Sequence, residues 1–244
     1  MQNNLDRLGK WAAENAMKIN PSKCKMVHFT RARVKDQLNY TFGDQLILKA
    51  SSCKYLGIFL CGDLGWTAHA NYTVRKAWKA LHFIMRILKK GNSTTKSLAC
   101  MTLVCAILEY EFLCWDPYRE GQIHALDRVQ KKVAKFASHM NELNWEILSQ
   151  RRKISHMCAL FKAYSEERTC KAIGERLHRP IYLSRVDREL KFRNRRQRTD
   201  MGKYSFANRT IQLWNQLTAE ILGTLLCKPN PFTKRVRRMI NVVN

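Results

Sequence analysis

The chemistry this chain can offer is dominated by cations. Between Leu64 and Leu108 there is no aspartate or glutamate, yet Arg75, Lys76, Lys79, Arg86, Lys89, Lys90 and Lys96 all fall there. Arg75, Lys79, His82, Arg86 and Lys89 or Lys90 recur at steps of three and four, the spacing that aligns side chains on one helix face. Such a row matches a phosphate backbone, and a contact of that kind weakens steeply with salt. A merely solvated face usually mixes both signs. A second basic run, Arg176 to Arg198, includes Arg185, Arg193, Arg195 and Arg196. Arginine prevails over lysine in it, which favours forked phosphate contacts and stacking on bases. The plainer reading of that run is a basic linker or a localisation signal.

Other chemistries lack their residues. Nucleotidyl transfer through two metals needs carboxylates held close together. The sequence has no Asp-Asp and no Asp-x-Asp, and its one adjacent acidic pair is Glu166-Glu167. Glu109 and Glu111 stand two apart on an expected helix, so they point to different faces. The histidines are scattered, and no HExxH, P-loop, GxSxG or GxGxxG occurs. No CxxC pair exists among the 9 cysteines, which argues against structural zinc. Their odd number and an N-terminus without an apolar leader point to reduced thiols in an intracellular protein, nuclear or cytoplasmic.

Bulk composition agrees with the cation rows. Lys and Arg number 44 against 19 Asp and Glu, a net charge of +25 over 244 residues. That excess points to a polyanionic partner, nucleic acid before an anionic membrane surface. Apolar residues make up 45%, so the chain is no disordered basic tail and can bury a real core. The longest uncharged apolar run, Ser97 to Leu108, is short of the roughly 20 residues needed to cross a bilayer.

These residues need elements to position them. Leu5, Leu8 and Trp11 or Ala12 predict a helix over 4–17, ended by Asn20-Pro21. CKMVHFT (24–30) reads as a strand with Val27 and Phe29 on one face. LNYTFGDQLIL (38–48) reads as a hairpin turning at Gly43-Asp44. CKYLGIFL (53–60) reads as one more strand, with Gly57 marking a bulge or a close backbone approach. From about Ala68 the period becomes helical, with Val74, Ala77, Leu81, Ile84 and Leu88 inward and Gly91 ending the helix. Further helices are expected over 94–113, 122–138, 144–149, 151–173 and 203–222. Pro180 to Asp200 reads as irregular, and Lys228-Pro229-Asn230-Pro231 as the lead into a last basic turn. The expected fold is α+β: a small N-terminal antiparallel sheet with one helix, too small to fold alone, then a mostly helical remainder.

Four ordered segments carry a resemblance: LDRLGKWAAENAMKINPSKCKMVHFTR, SSCKYLGIFLCGDLGWTAHA, ILEYEFLCWDPY and SFANRTIQLWNQLTAEIL. Together they resemble the reverse transcriptases of non-LTR, LINE-type retrotransposons, more narrowly the jockey/CR1-like elements of animal genomes, from about Leu5 to Ile240. The first segment directly follows the family's catalytic palm strand. The resemblance therefore implies a C-terminal fragment: the end of the palm over 1–62, a helical thumb over 63–140, a helical connection over 141–175 and a basic extension over 176–244.

The catalytic aspartates would lie upstream, so no catalytic residue is expected here. Magnesium would serve the intact enzyme, and this chain would bind no cofactor itself. Lys23 and Lys25 match the element that borders the incoming nucleotide. Lys54, Tyr55 and Gly57 match a turn resembling the primer grip, with sheet core the plainer reading of the Tyr55 and Leu56 side chains. Leu64, Trp66 and His69 match the opening of the thumb. Arg75, Lys79, Arg86, Lys89 and Lys90 fall on its leading helix, where the family would contact a template–primer duplex. An RNA–DNA hybrid would be held by sugar and phosphate rather than base edges. The implied function is a truncated RNA-directed DNA polymerase that binds RNA, DNA or their hybrid without catalysis. The alternative is a non-enzymatic nucleic-acid-binding protein derived from such an element. Three positions depart from the family: Glu111 and Phe112 stand where small residues are usual, and Thr218 where proline is usual.

Overall fold

Strands are confined to the first sixty-one residues, and regular structure from Thr67 onward is helical among the residues described, namely 1–30, 39–137, 147–164, 191–193, 196–217 and 229–242 of this computed structural model. The fold is α+β. The chain divides into two units, Met1–Ala70 and Asn71–Asn244.

The first unit opens with helix α1 (Gln2–Glu14) and a short 3-10 turn (Pro21–Lys23). Six short strands follow: β1 (Lys25–Val27), β2 (Thr41–Phe42), β3 (Gln45–Leu46), β4 (Leu48–Ala50), β5 (Ser52–Tyr55) and β6 (Ile58–Cys61). They pair in twos rather than as one antiparallel sheet. β2–β3 and β5–β6 are antiparallel hairpins, while β1–β4 is parallel, with Lys25 opposite Leu48 and Val27 opposite Ala50. The turn at Gly43-Asp44 is where the sequence placed it, with Gly43 in the left-handed region at φ 58°.

The stretch 53–60 differs from the single strand expected. It folds back on itself at Leu56-Gly57, with φ of 44° and 85°, which places both central residues in the left-handed conformation of a tight hairpin turn. Gly57 is thus a turn residue and not a bulge. Helix α1 also turns a different face inward. Gln2 exchanges two hydrogen bonds with the Thr41 backbone (2.9 and 3.1 Å), and Gly9 lies against the Phe42 ring. Ala12 is buried while Leu8 and Trp11 stay exposed. Of the expected stripe, Ala12 lies inside and Leu8 and Trp11 do not. The unit buries little: Ala12, Ile47, Ile58 and Ala70 are its enclosed apolar residues, and Phe29, Tyr55 and Leu56 are exposed.

The second unit is built from helices. α2 (Thr67–Ile87) begins ahead of the division and carries Ala77, Leu81 and Ile84 on its buried face, close to the expected one. Asn92 caps α3 (Ser93–Cys100) by accepting the Thr95 N–H at 2.8 Å. A π-type turn (Met101–Cys105) then leads into α4 (Ala106–Glu109). The Thr102 hydroxyl there donates to the Leu98 carbonyl at 2.9 Å, a competition that loosens helical register. Glu111, at φ 53°, turns the chain out of that helix earlier than the expected Leu113.

Helices α5 (Glu120–Phe136) and α6 (Leu148–Tyr164) follow. Among the described residues, the helix expected over 203–222 is parted where Ser205 caps α8 (Phe206–Asn215), with α7 (Asp200–Lys203) before it; residues 218–222 lie outside them. Residues 229 onward form a full helix, α9 (Pro229–Val242), rather than a basic turn. Prolines in a first turn forfeit no helical hydrogen bond. Phe232, Val236 and Ile240 recur every four residues and seat α9 in a core shared with Met157, Leu160, Phe161, Phe192, Ile211, Trp214 and Leu217. Phe161 stacks on Phe232 at 4.3 Å between ring centres.

Candidate nucleic-acid interface

Helix α2 sets the cation row. Its inward face is Ala70, Ala77, Leu81 and Ile84, and the opposite side exposes Arg75, Lys79, His82 and Arg86. From Arg75 to Arg86 the row runs about 17 Å at the helical rise. Lys89 and Lys90 extend it into the turn that ends the helix, and both are exposed. Arg75 Nε donates to the Asn71 carbonyl at 3.3 Å, which steadies the base of that side chain. No ion pair between described residues involves these cations. Phe83 and Ile87 are exposed along one flank, giving the row an apolar border.

In the first unit the β5–β6 hairpin presents its tip to solvent. Tyr55 is 63% exposed and Leu56 72%, so neither is sheet core. Lys54 lies opposite Phe59 in the ladder and holds its ammonium 5.7 Å from the Phe59 ring centre. Lys23 and Lys25 are exposed on the 3-10 turn and β1. His69 is buried, and its Nδ1 accepts the Phe59 N–H at 3.3 Å. Trp66 is half-buried.

Of the arginine-rich run, Arg185 and Arg195 lie outside the described residues, as do Thr218 and the Glu166-Glu167 pair. Arg193 and Arg196 are exposed. Their neighbour Phe192 is buried and pinned: the Asn215 amide accepts its N–H at 3.0 Å and donates to its carbonyl at 2.9 Å. That stretch is therefore fastened to α8. The pairing also assigns a task to Trp214-Asn215, since Trp214 fills the core and Asn215 ties down a second strand of chain.

Sequence reasoning missed the electrostatic centre of the second unit. Asp116 receives Arg152 Nη1 at 3.0 Å on one carboxylate oxygen and Arg209 Nη2 at 2.8 Å on the other. Arg209 Nη2 also donates to the Asp116 carbonyl at 3.0 Å. Arg152 is only 6% exposed, and its guanidinium lies over the rings of Phe112 (4.6 Å) and Trp115 (5.0 Å). Burial lowers the Arg152 pKa, and the Asp116 carboxylate opposes that shift. Beside it, Arg151 pairs with Glu109. His156 Nε2–H donates to the Phe112 carbonyl at 3.0 Å, and burial pushes this imidazole toward its neutral form. The segment ILEYEFLCWDPY thus meets SFANRTIQLW through Asp116 and Arg209. No local spacing announces a pairing across 93 residues.

Glu109 and Asp116 are paired with guanidinium groups, and Glu111 is exposed in a turn after Glu109 closes its helix. Among the described residues no three His, Cys, Asp or Glu gather closely enough to hold an ion. Seven cysteines of the described residues are free thiols, and burial raises Cys100 to about 11. No helix of the described residues is long and apolar enough to cross a membrane. No protein-family profile matches the chain, and neither a curated protein nor a solved structure matches it.

Proposed function

We propose that this chain binds nucleic acid through the outer face of α2, as the thumb and terminal palm portion of a LINE-type reverse transcriptase would, and is not itself a polymerase. The observation that carries the reading is the exposed row Arg75, Lys79, Arg86, Lys89 and Lys90, which no acidic side chain interrupts. Like charges three and four residues apart work against a helix, so a row without counter-charges is retained at a cost that a phosphate backbone offsets. The exposed Phe83 and Ile87 beside it suit the sugar edge of an A-like hybrid groove. In the same reading, the Lys54–Gly57 hairpin tip meets the primer end. The exposed apolar surface of the first unit is then the side that packs on the rest of a palm.

The test is binding of an RNA–DNA hybrid across a salt series. Replacing Arg75, Lys79 and Arg86 together with glutamine should weaken binding and flatten the dependence of log K on log salt by roughly 0.7–0.9 for each phosphate no longer neutralised. Unchanged affinity and slope would remove the assignment. Primer extension by the isolated chain with magnesium and deoxynucleotides should yield no product, and any extension would overturn the non-catalytic part.

A further inference from the structure

Helix α5 carries a second row of cations. Leu126, Val129, Gln130 and Val133 are its buried face. Across from them Arg128, Lys131, Lys132 and Lys135 are exposed, at steps of three, one and three, with His124 continuing the line toward the helix start. No ion pair between described residues involves them. The two acidic residues of the helix stand elsewhere: Glu120 in the first turn, and Asp127 lining the cavity that Arg152 and Arg209 also line. Attraction to the negative helix end accounts for Lys135 in the last turn, but not for Arg128 or Lys131.

The end of this row is fastened to the end of the α2 row. Ser93 Oγ donates to the Ala137 carbonyl, just past α5, at 2.7 Å. Lys96 on α3 lies over the Phe136 ring at 5.1 Å. Lys90 is three residues before Ser93, at most about 11 Å of chain. Lys89, Lys90, Lys96 and Lys135 thus all stand within four residues of the Ser93–Ala137 contact.

We propose that α5 is a second phosphate-backbone contact, continuous at this junction with the row on α2, so that one nucleic acid runs along both helices. This rests on the proposed function and extends its footprint to Arg128, Lys131, Lys132 and Lys135.

The full chain with Arg128, Lys131 and Lys132 replaced by glutamine, a good helix former, should bind an RNA–DNA hybrid with a salt slope lower by up to about 2.5, reckoned from three phosphates no longer neutralised. A variant with Lys131→Arg and Lys132→Arg should keep the wild-type slope. Lysine acetylation followed by mass spectrometry serves independently of any variant: hybrid should protect Lys131, Lys132 and Lys135 in the wild-type chain. A flattened slope in the glutamine variant together with protection supports the inference. An unchanged slope, or equal acetylation with and without hybrid, overturns it. If the α2 variant alone still flattens the slope, the proposed function survives that failure. If the wild-type chain shows no salt-dependent binding, both fall.

Discussion

Replacing Glu111 with glycine should stabilise the helical unit. Glu111 stands at φ 53°, where an L-residue brings Cβ too close to the following carbonyl at a cost of roughly 1–2 kcal/mol. Glycine escapes that cost but loses about 0.5–1 kcal/mol through its greater freedom in the unfolded chain. The useful contacts here belong to the backbone: the Glu111 carbonyl accepts from Cys114 N (2.9 Å) and Trp115 N (3.3 Å), and both survive the change. The side chain is exposed and takes only a weak thiol contact from Cys114 at 3.7 Å. A net gain of about 0.5–1 kcal/mol remains, a rise of roughly 1–4 °C in Tm for a unit of this size. Urea titration followed by circular dichroism, with scanning calorimetry, measures it. Glu111→Ala removes the same carboxylate without relieving the backbone, so it should gain nothing. Gly43→Ala, at φ 58° with nothing within 4 Å of the new Cβ, should lose about 1 kcal/mol for the mirror-image reason. An unchanged midpoint for Glu111→Gly, or an equal gain for Glu111→Ala, would refute the reasoning.

Two further outcomes follow from the buried charges. Asp116→Ala strips both Arg152 and Arg209 of their carboxylate, and Arg152 Nε and Nη2 already lack a partner among the described residues, so the destabilisation should reach about 3–5 kcal/mol in urea unfolding. His156 is held below its ordinary 6.5 by burial, helped by Arg209 and Arg152 and opposed by its Phe112 bond and by Asp116. The unfolded chain then takes up a proton that the folded chain resists. Its contribution is therefore complete above about pH 6.5 and declines as the pH falls through that value toward the depressed folded one. His156→Gln keeps an N–H for the Phe112 carbonyl and should flatten the decline in Tm between pH 7.5 and 5.5; a decline of wild-type steepness would exclude His156 as its source.

What could be read from the residues alone was set by the range of the interactions. The row on α2 and the buried face of α5 follow from spacing within one helix, and Leu126, Val129 and Val133 lie inside as their period demands. The hairpin at Gly43 was legible because glycine is the residue that such a turn selects. Leu56 hid the second turn, since a leucine at positive φ contradicts its own preference and the surrounding β-formers read as one strand. The α5 cations were equally visible in spacing, but Asp127 directly precedes Arg128 in a helix that opens on Glu120, and these acids masked the row. Asp116, Arg152 and Arg209 could not be joined in advance, because what unites them is packing across 36 and 93 residues. The inward face of α1 was missed because a glycine and a polar Gln2 make its contact.

The span of that last pairing, Asp116 with Arg209, has a consequence in time. At about 5–20 residues per second of synthesis, Arg209 emerges some 5–20 s after Asp116, and Phe232, which stacks on Phe161, comes later still. Through that interval the aromatic face of α6 lacks Phe232, while Arg152 already has Asp116 to itself. Closure of the second unit must therefore wait for α9, and a nascent polypeptide that already displays the α2 cations meets polyanions before it has a finished core.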